Sequence, residues 1–293
     1  MITTDNLVKN FGKFKALDNI SLNVDDNLVY GFLGHNGAGK STTIEILAGL
    51  SKPSLGSVKI GTDIIGYLPE EPKFYPWMTG LEYLTFIGSD YKGDRKKRVK
   101  EMLNWVGLEK AAKRKIGGYS RGMRQRLGMA VALIYDPQLI LLDEPSSALD
   151  PEGRADVLNM IKELKDRGKT VFLSTHILDD VEKVCDKVGI IREGKMIKEG
   201  NLEEIMNHYT EPNFELTFTK EPDPYEIIQI SKESWVKDIT TEGRKISIVT
   251  RDDMDFTNGV YGIATKLKTP VESVLRKKHT LEEIYMMITD GEE

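Results

Sequence analysis

The sequence is poor in cysteine, in long apolar runs and in excess positive charge, and each shortage excludes a class of protein. Cys185 is the single cysteine among 293 residues, so no disulfide can form within the chain and a reducing compartment is expected. No apolar run approaches the ~20 residues of a membrane-spanning helix. The first residues lack the basic and apolar segments of a signal peptide. We therefore expect a cytoplasmic protein that would act at a membrane only through a partner.

The net charge of the chain does not indicate that it binds nucleic acid or an anionic membrane surface. Acidic residues number 46 and basic residues 41, which leaves a net charge of −5. The basic run at residues 95–100 is interpreted as a solvated helix face. The length of 293 residues is enough for about two domains.

A glycine-rich stretch at residues 34–42 matches the pattern G-x-x-x-x-G-K-[ST] at every fixed position. An apolar, strand-like run precedes it and a helical pattern follows it, which is the context that a phosphate-binding loop needs. Lys40 can reach the β- and γ-phosphates and the Ser41 hydroxyl can bind Mg²⁺. The alternative is a turn capped by Ser41. The predicted nucleotide-binding residues of this loop are Gly34, His35, Asn36, Gly37, Ala38, Gly39, Lys40, Ser41 and Thr42.

Strands alternate with helices through residue 200, which predicts an α/β fold with a mainly parallel sheet. Before residue 28 the pattern indicates antiparallel strands. An all-helical insert is predicted over residues 72–135, beginning with a capping box at Thr79 and Glu82 and remaining helical to Gly107. Beyond residue 211 the order becomes strand–helix–strand–strand–helix–strand, with its second helix over residues 260–267. This order is typical of a ferredoxin-like α+β unit, so we predict domains over residues 1–210 and 211–293.

Two carboxylates, Asp143 and Glu144, follow the continuous apolar run at residues 139–142. Such a run is typical of a buried parallel strand, and open α/β sheets place ligands at the carboxyl ends of these strands. Asp143 there can hold Mg²⁺, and Glu144 can deprotonate an attacking water. The alternative is a turn cap beside a solvated glutamate. His176 lies at the end of the next predicted strand, and Phe11 is either an exposed aromatic or a packing residue under the sheet.

Several motifs in this order resemble those of the ATP-binding subunits of ABC transporters. The resemblance covers residues 1 to about 205. Beyond the phosphate loop, it rests on residues 120–126 (SRGMRQR), 142–145 (LDEP), 147–150 (SALD) and 174–176 (STH). The loop alone would leave kinases and GTPases open, whereas the ordered set is far more specific. The resemblance implies a P-loop NTPase core and ATP and Mg²⁺ as ligands.

The resemblance also implies a role for each matching residue. Phe11 would stack on adenine, and the residues of the loop would cradle the phosphates. Ser41 and Asp143 would hold Mg²⁺. Glu144 would be the catalytic base, and His176 would contact the γ-phosphate.

Further matching residues imply a dimer. Ser120 and Gly122 would reach the γ-phosphate of the ATP that is bound to the other subunit. ATP would thus close a head-to-tail dimer, either a homodimer or a pair of different ATPase subunits. Residues 147–150 would line the interface of that dimer.

The sequence departs from the family pattern at a few positions. Tyr119, Arg121 and Met123 replace the usual Leu, first Gly and Gln of the signature, while its phosphate-facing Ser and Gly are kept. Glu70 stands where a Gln is usual, and we expect it to face the metal. The segment at residues 56–66 is shorter than in most relatives.

The resulting expectation is an ATP hydrolase that powers transport through a separate transmembrane permease, from the cytoplasmic face of the membrane. The branch that it resembles often exports its substrates. One alternative is a soluble ABC ATPase without a transporter, for example in iron–sulfur cluster assembly. Another is a regulatory module whose C-terminal domain senses a ligand.

Overall fold

The computed structural model describes residues 1–147, 149–209, 212–251, 259, 262, 267–277 and 279–290. The chain divides into two compact units, Met1–Leu202 and Glu203–Glu293. The sequence predicted a division between residues 210 and 211, so nearly all of the helix Leu202–Tyr209 lies in the second unit instead of the first.

The strands of the first unit are 4 to 11 residues long, and helices lie between several of them. In chain order the strands are β1 (Ile2–Phe11), β2 (Phe14–Val24), β3 (Val29–Leu33), β4 (Leu55–Ile60), β5 (Ile65–Leu68), β6 (Leu139–Asp143), β7 (Thr170–Thr175), β8 (Lys187–Arg192) and β9 (Lys195–Asn201). The helices are α1 (Lys40–Leu47), α2 (Gly80–Ile87), α3 (Arg95–Trp105), α4 (Arg121–Leu133), α5 (Pro151–Asp166) and α6 (Leu178–Val184), and α7 (Leu202–Tyr209) follows, with all but its first residue in the second unit. Short 3₁₀ turns lie at Gly88–Asp90, Glu109–Ala111 and Ile116–Gly118.

A six-stranded sheet forms the centre of the first unit, in the order β5-β6-β7-β3-β8-β9. Its neighbouring strands are parallel except for β9, which returns antiparallel to β8. All residues of β3, β6 and β7 are buried, as expected for central strands that are covered on both faces. The carboxyl ends of these three neighbouring strands meet at one edge of the sheet. The predicted parallel α/β core is therefore confirmed.

β1 and β2 pair antiparallel, as predicted, and β4 joins them in a separate sheet of the order β2-β1-β4, a pairing that was not predicted. Its apolar side chains join those of β3 and β7 in one buried cluster. Within this cluster the ring of Tyr30 stacks on the ring of Phe172 at a centroid distance of 5.2 Å. Burying an aromatic side chain of this size stabilises the fold by about 1.5–3 kcal/mol. The shared core thus fixes the antiparallel sheet against the parallel one.

Residues 69–138 form helices and turns, which confirms the helical insert. The Thr79 hydroxyl accepts a hydrogen bond from Glu82 N at 3.2 Å, and Glu82 Oε2 accepts one from Thr79 N at 2.8 Å. The helical pattern predicted from Thr79 to Gly107 is not continuous, because α2 ends at Ile87 and α3 begins at Arg95. Gly88 caps the end of α2, and glycine inside a helix costs ~1 kcal/mol relative to alanine.

The second unit contains the strands β10 (Asn213–Phe218), β11 (Val236–Glu242), β12 (Lys245–Thr250) and β13 (Val271–Lys277), with the helices α8 (Pro224–Ser231) and α9 (Leu281–Asp290). Its sheet has the order β11-β12-β10-β13, and all neighbours are antiparallel. This arrangement agrees with the predicted ferredoxin-like unit. Most of the predicted helix at residues 260–267 lies outside the described residues. None of the helices in the described part of the chain is long and apolar enough to cross a membrane.

Candidate active site

The phosphate loop connects β3 to α1 and takes backbone conformations that favour glycine. Gly37 and Gly39 have positive φ angles of 84° and 110°. A Cβ on Gly39 would lie 2.7 Å from Leu17 Cδ2 and 2.8 Å from the Ala16 carbonyl oxygen. The glycine at this position is therefore required both by its backbone angle and by the neighbouring strand β2.

The turn between β8 and β9 supports the phosphate loop from a distant part of the sequence. Gly194 N donates a hydrogen bond to the Ala38 carbonyl at 3.0 Å, and the Gly194 carbonyl accepts one from Asp18 N at 2.7 Å. A Cβ on Gly34 would lie 2.5 Å from the Ile191 carbonyl oxygen of β8. This hairpin and β2 together fix the path of the loop.

Lys40, the first residue of α1, is buried at the centre of the site, with only 5% of its surface exposed. Its ammonium donates hydrogen bonds to the carbonyls of Gly34 at 2.8 Å and His35 at 3.2 Å. Lys40 Nζ also lies 3.1 Å from Glu144 Oε1. A buried cation is thus held in place by two carbonyls and one carboxylate, an arrangement in which a phosphate oxygen can compete for the same ammonium.

Asp143 is the last residue of β6 and accepts hydrogen bonds from two hydroxyl groups. Its Oδ1 accepts hydrogen bonds from Ser174 Oγ at 2.5 Å and Ser41 Oγ at 3.2 Å. Burial and the charge of Glu144 raise the pKa of Asp143, against the opposing effects of the two hydroxyls and Lys40. The Asp143–Ser174 contact follows from register, because these residues are partners across β6 and β7.

The hydroxyl and carboxylate oxygens of Ser41 and Asp143 are hard donors of the kind that Mg²⁺ prefers. Mg²⁺ usually combines one or two such protein ligands with waters and substrate phosphates. Within the described residues, no cluster of three or more His, Cys, Asp or Glu side chains could form a complete protein cage for a metal. The donor set therefore fits a metal that arrives with a phosphate substrate.

Glu144 is buried between Lys40 and His176. Its backbone has a positive φ of 48°, an uncommon conformation for a residue with a side chain. Glu144 Oε2 lies 2.9 Å from His176 Nδ1. Within the described residues Glu144 Oε1 accepts no hydrogen bond, although the Lys40 ammonium lies 3.1 Å away. A buried carboxylate oxygen without a hydrogen bond is uncommon and indicates a functional position.

An open cavity of about 400 Å³ lies along the phosphate loop. Its lining combines loop residues with aromatic and acidic side chains from other segments: Phe11, Phe14, Ala16, Asn36, Gly37, Gly39, Lys40, Ser41, Thr42, Glu70 and Glu144. The cavity thus brings together residues that are far apart in the sequence and that were predicted separately. Phe11 is 52% exposed, so it is not the packing residue of the alternative interpretation.

Phe14 was missed by the sequence analysis. It is 64% exposed and is the register partner of Phe11 across the β1–β2 hairpin. The signal was present in the stretch Phe11-Gly12-Lys13-Phe14, because two aromatics that flank a tight turn face each other. Ser174 was quoted only as part of a motif, and its hydrogen bond to Asp143 was not anticipated.

The segment at residues 120–126, which resembles the family signature, does not line the cavity along the phosphate loop. Ser120 caps the N-terminus of α4, where its Oγ accepts a hydrogen bond from Met123 N at 3.2 Å. Ser120 and Gly122 do not line the cavity along the phosphate loop. In the segment at residues 147–150, Asp150 caps α5 and accepts a hydrogen bond from Gly153 N at 2.8 Å, while Ala148 lies outside the described residues.

Comparison with known proteins places the chain among similar sequences and structures. The sequence model of a family described as "ABC transporter" matches residues 17–147. An ABC transporter ATP-binding protein of Bacillus subtilis (strain 168), YxlF, is 36% identical over 98% of this chain and 99% of its own length. The bacitracin transport ATP-binding protein BcrA of Bacillus licheniformis is 41% identical over 68% of this chain and 69% of its own length. A dimeric ATP-binding cassette in a post-hydrolysis state, bound to ADP and Pi, aligns with a TM-score of 0.64 and 29% identity, over 69% of this chain and 99% of that one.

Proposed function

Because this chain belongs to the ATP-binding proteins of ABC transporters, we propose that it hydrolyses ATP in the cavity along its phosphate loop. The chain is the ATPase subunit of a transporter whose transmembrane part is a separate protein. The observation that carries the proposal is the Glu144 carboxylate, buried between Lys40 and His176 with one oxygen lacking a hydrogen bond.

The proposed roles follow the geometry of the cavity. The exposed ring of Phe11 stacks on the base, and the loop N–H groups with Lys40 bind the phosphates. Ser41 and Asp143 would hold Mg²⁺, and Glu70, which lines the same cavity, would be a further ligand. When bound, the metal would supply positive charge to balance the charge that develops on the transferred phosphoryl group.

Glu144 accepts the proton of the attacking water. Phosphate oxygens that bind Lys40 draw its ammonium away from Glu144 Oε1, which frees that carboxylate oxygen for the water. His176 contacts the other oxygen, Oε2, and so fixes the direction in which Glu144 points. The uncommon backbone conformation of Glu144 places its side chain at this strand end.

The second half of the site is proposed to come from a second subunit. Ser120 and Gly122 lie outside the cavity of their own chain, which supports contact with the γ-phosphate across a head-to-tail dimer. The second unit of the chain is proposed to be an accessory domain that is not needed for the chemistry. The cytoplasmic face of the membrane is the proposed location of the complex.

Co-purification tests the function. From detergent-solubilised membranes, the chain should purify with a membrane protein whose addition changes its Mg²⁺-dependent ATPase rate. An active ATPase that never associates with a membrane protein would favour the soluble alternative, such as iron–sulfur cluster assembly. Failure of the purified chain to bind ATP would contradict the proposal altogether.

A further inference from the structure

A second buried carboxylate, Asp180, lies close in sequence to the site but has no part in the roles described so far. Asp180 is on the first turn of α6 and is 1% exposed. Its Oδ2 accepts a hydrogen bond from Ser146 Oγ, and its Oδ1 accepts one from Arg154 Nε at 2.5 Å. Both carboxylate oxygens are therefore occupied by donors from other segments.

The partners of Asp180 belong to the segments that present the site. Ser146 is two residues after Glu144, and Ser147 N donates to the Glu144 carbonyl at 3.2 Å, so this segment forms a tight turn. Asp180 itself follows His176, and its backbone N donates to the Ile177 carbonyl at 3.1 Å. Arg154 belongs to α5, which begins just after the same turn.

The segment from Glu144 to Ser146 and the segment from His176 to Asp180 therefore contact each other at two points. On the cavity side they meet at the 2.9 Å contact between Glu144 Oε2 and His176 Nδ1. Behind it they meet at the hydrogen bond between Ser146 and Asp180. The rear contact is deeply buried, since Ser146 is only 3% exposed.

Burying a carboxylate is unfavourable unless its charge is paired and its oxygens receive hydrogen bonds. Both conditions are met at Asp180, and removing either partner would leave a buried charge or donor unsatisfied. The arrangement of the three segments is therefore strongly constrained. A general base must keep its geometry closely, since a displacement of about 1 Å can cost ~10²-fold in rate.

We propose that Asp180 is a positioning residue for ATP hydrolysis. Through Ser146 and Arg154 it fixes α6 against the turn that follows Glu144, and so holds His176 and Glu144 in contact. Asp180 does not touch the nucleotide. The inference rests on the proposed function, because it assigns Asp180 to the geometry of the same reaction.

The matched control is the neighbouring residue, Asp179. It pairs with the same Arg154, at 2.7 Å from the guanidinium, but its side chain is 59% exposed and it does not contact Ser146. Asp179→Asn therefore removes a charge and an arginine contact at the next position without opening the buried bridge. Exposed ion pairs contribute little to stability, about 0–1 kcal/mol.

The experiment compares Asp180→Asn, Ser146→Ala and Asp179→Asn in the full chain, with kcat, KM for ATP, ATP affinity and melting temperature measured for each. Asp180→Asn should lower kcat by about 10- to 100-fold with ATP affinity unchanged, and Ser146→Ala should lower kcat in the same manner but less. Asp179→Asn should retain the kcat of the unmodified chain. If Asp180→Asn does not fold, the smaller change Ser146→Ala decides.

Two results would overturn the inference. One is a kcat for Asp180→Asn and Ser146→Ala equal to that of Asp179→Asn. The other is a parallel loss of ATP affinity and kcat, which would indicate general damage to the cavity. If the unmodified chain itself hydrolyses no ATP, the proposed function fails, and this inference fails with it. An active unmodified chain with unaffected variants refutes the positioning role alone.

Discussion

Glu144 in the first unit and Glu226 in the second are buried almost equally, at 5% and 4% exposure, but they are satisfied in opposite ways. Glu226 accepts hydrogen bonds from Lys268 N at 2.6 Å, Thr269 N at 2.8 Å, Thr269 Oγ1 at 2.8 Å and Asp223 N at 3.0 Å. Burial alone would raise the pKa of Glu226, but these hydrogen bonds outweigh it and lower the pKa to about 2. Glu144 has an oxygen without a hydrogen bond and a close lysine.

The difference separates a structural carboxylate, Glu226, from Glu144, the carboxylate that we propose to be reactive. The hydrogen bonds of Glu226 described above join the N-terminus of α8 to the segment before β13, within the second unit. Glu144 can still accept one more proton or hydrogen bond. An incoming anion can bind the ammonium of Lys40 in place of Glu144. Equal burial therefore does not imply an equal role, and the unused acceptor is the better indicator of chemistry.

The strongest test of this difference is to remove the charge of Glu144 and to measure ATP turnover. Glu144→Gln should bind ATP but lower turnover by ~10²–10⁴-fold, because the general base is lost. It should also accumulate as a dimer in size-exclusion chromatography with Mg²⁺ and ATP. Glu226→Gln is the control, with turnover like that of the unmodified chain. Near-normal hydrolysis by Glu144→Gln would contradict its assignment as the base.

The second prediction concerns the cation beside Glu144. Lys40→Ala should weaken ATP binding by about 1.5–3 kcal/mol, the usual contribution of a hydrogen bond to a charged group. Titration with a fluorescent ATP analogue measures this loss. Lys245→Ala, which removes an exposed partner of Glu215 in the second unit, should leave ATP affinity as it is. Unchanged affinity in Lys40→Ala would mean that the loop does not bind phosphate.

The third prediction addresses the other glutamate. Glu226→Gln should destabilise the second unit by about 1–3 kcal/mol, because one amide nitrogen would face N–H donors. The pKa of Glu226 is lowered from 4.5 to about 2 in the folded chain, so its stabilisation is complete above pH 4.5 and is lost as the pH falls toward 2. Denaturant unfolding of both proteins across this range should show the loss in the unmodified chain and a weaker dependence in Glu226→Gln. Equal pH dependence in the two proteins would refute the role of Glu226.

A smaller effect is expected at Glu70, which lines the same cavity as the phosphate loop. An added carboxylate attracts Mg²⁺ and repels the γ-phosphate by similar amounts, about 4 kcal/mol for each unit charge at ~4 Å and an effective dielectric near 20. Glu70→Gln should therefore raise the Mg²⁺ concentration needed for hydrolysis and change metal-free ATP affinity little. Glu71→Gln is the matched control, because Glu71 does not line the nucleotide cavity. Coincident rate curves for Glu70→Gln and the unmodified chain would leave Glu70 as an ordinary linker residue.

The smallest effect is expected from removing most of the second unit, the part that contains Glu226. Deletion of residues 211–293 should leave a folded ATPase, because the phosphate loop, Asp143 and Glu144 all lie in the first unit. Circular dichroism and ATPase assays of the shortened chain would measure this. An insoluble product without nucleotide binding would show that the second unit is part of the core.

Local patterns were enough to predict the elements that carry the site. Gly37 and Gly39 indicate a backbone with positive φ angles, and the apolar run before Asp143 indicates a buried strand. Both signals are local in the sequence. The role of Phe14 depends on the register of a hairpin, and the Asp143–Ser174 bond depends on which strands are neighbours. The Phe11–Phe14 pairing could be read from the local stretch, because the two aromatics flank a tight turn, whereas the Asp143–Ser174 bond arises from a pairing between distant segments.

Two boundaries are not marked clearly by local pattern. The helical pattern from Thr79 to Gly107 was not divided in the sequence analysis, whereas in the structure α2 ends at Ile87 and α3 begins at Arg95. The helix α7 follows β9 in the same alternating order as the rest of the first unit, so the sequence assigns it to that unit. The structure assigns nearly all of α7 to the second unit because of its contacts with other residues, and these contacts cannot be read from the local sequence.

The hydrogen bond from Gly194 to Ala38 also has a consequence for how the protein is made. The ribosome completes the phosphate loop long before it reaches the hairpin turn that supports it. At typical synthesis rates of 5–20 residues per second, the interval is on the order of ten seconds. During that interval the nascent chain carries the complete nucleotide-binding motif without the support that gives it shape. We therefore expect nucleotide binding to begin late in synthesis, when most of the first unit has left the ribosome.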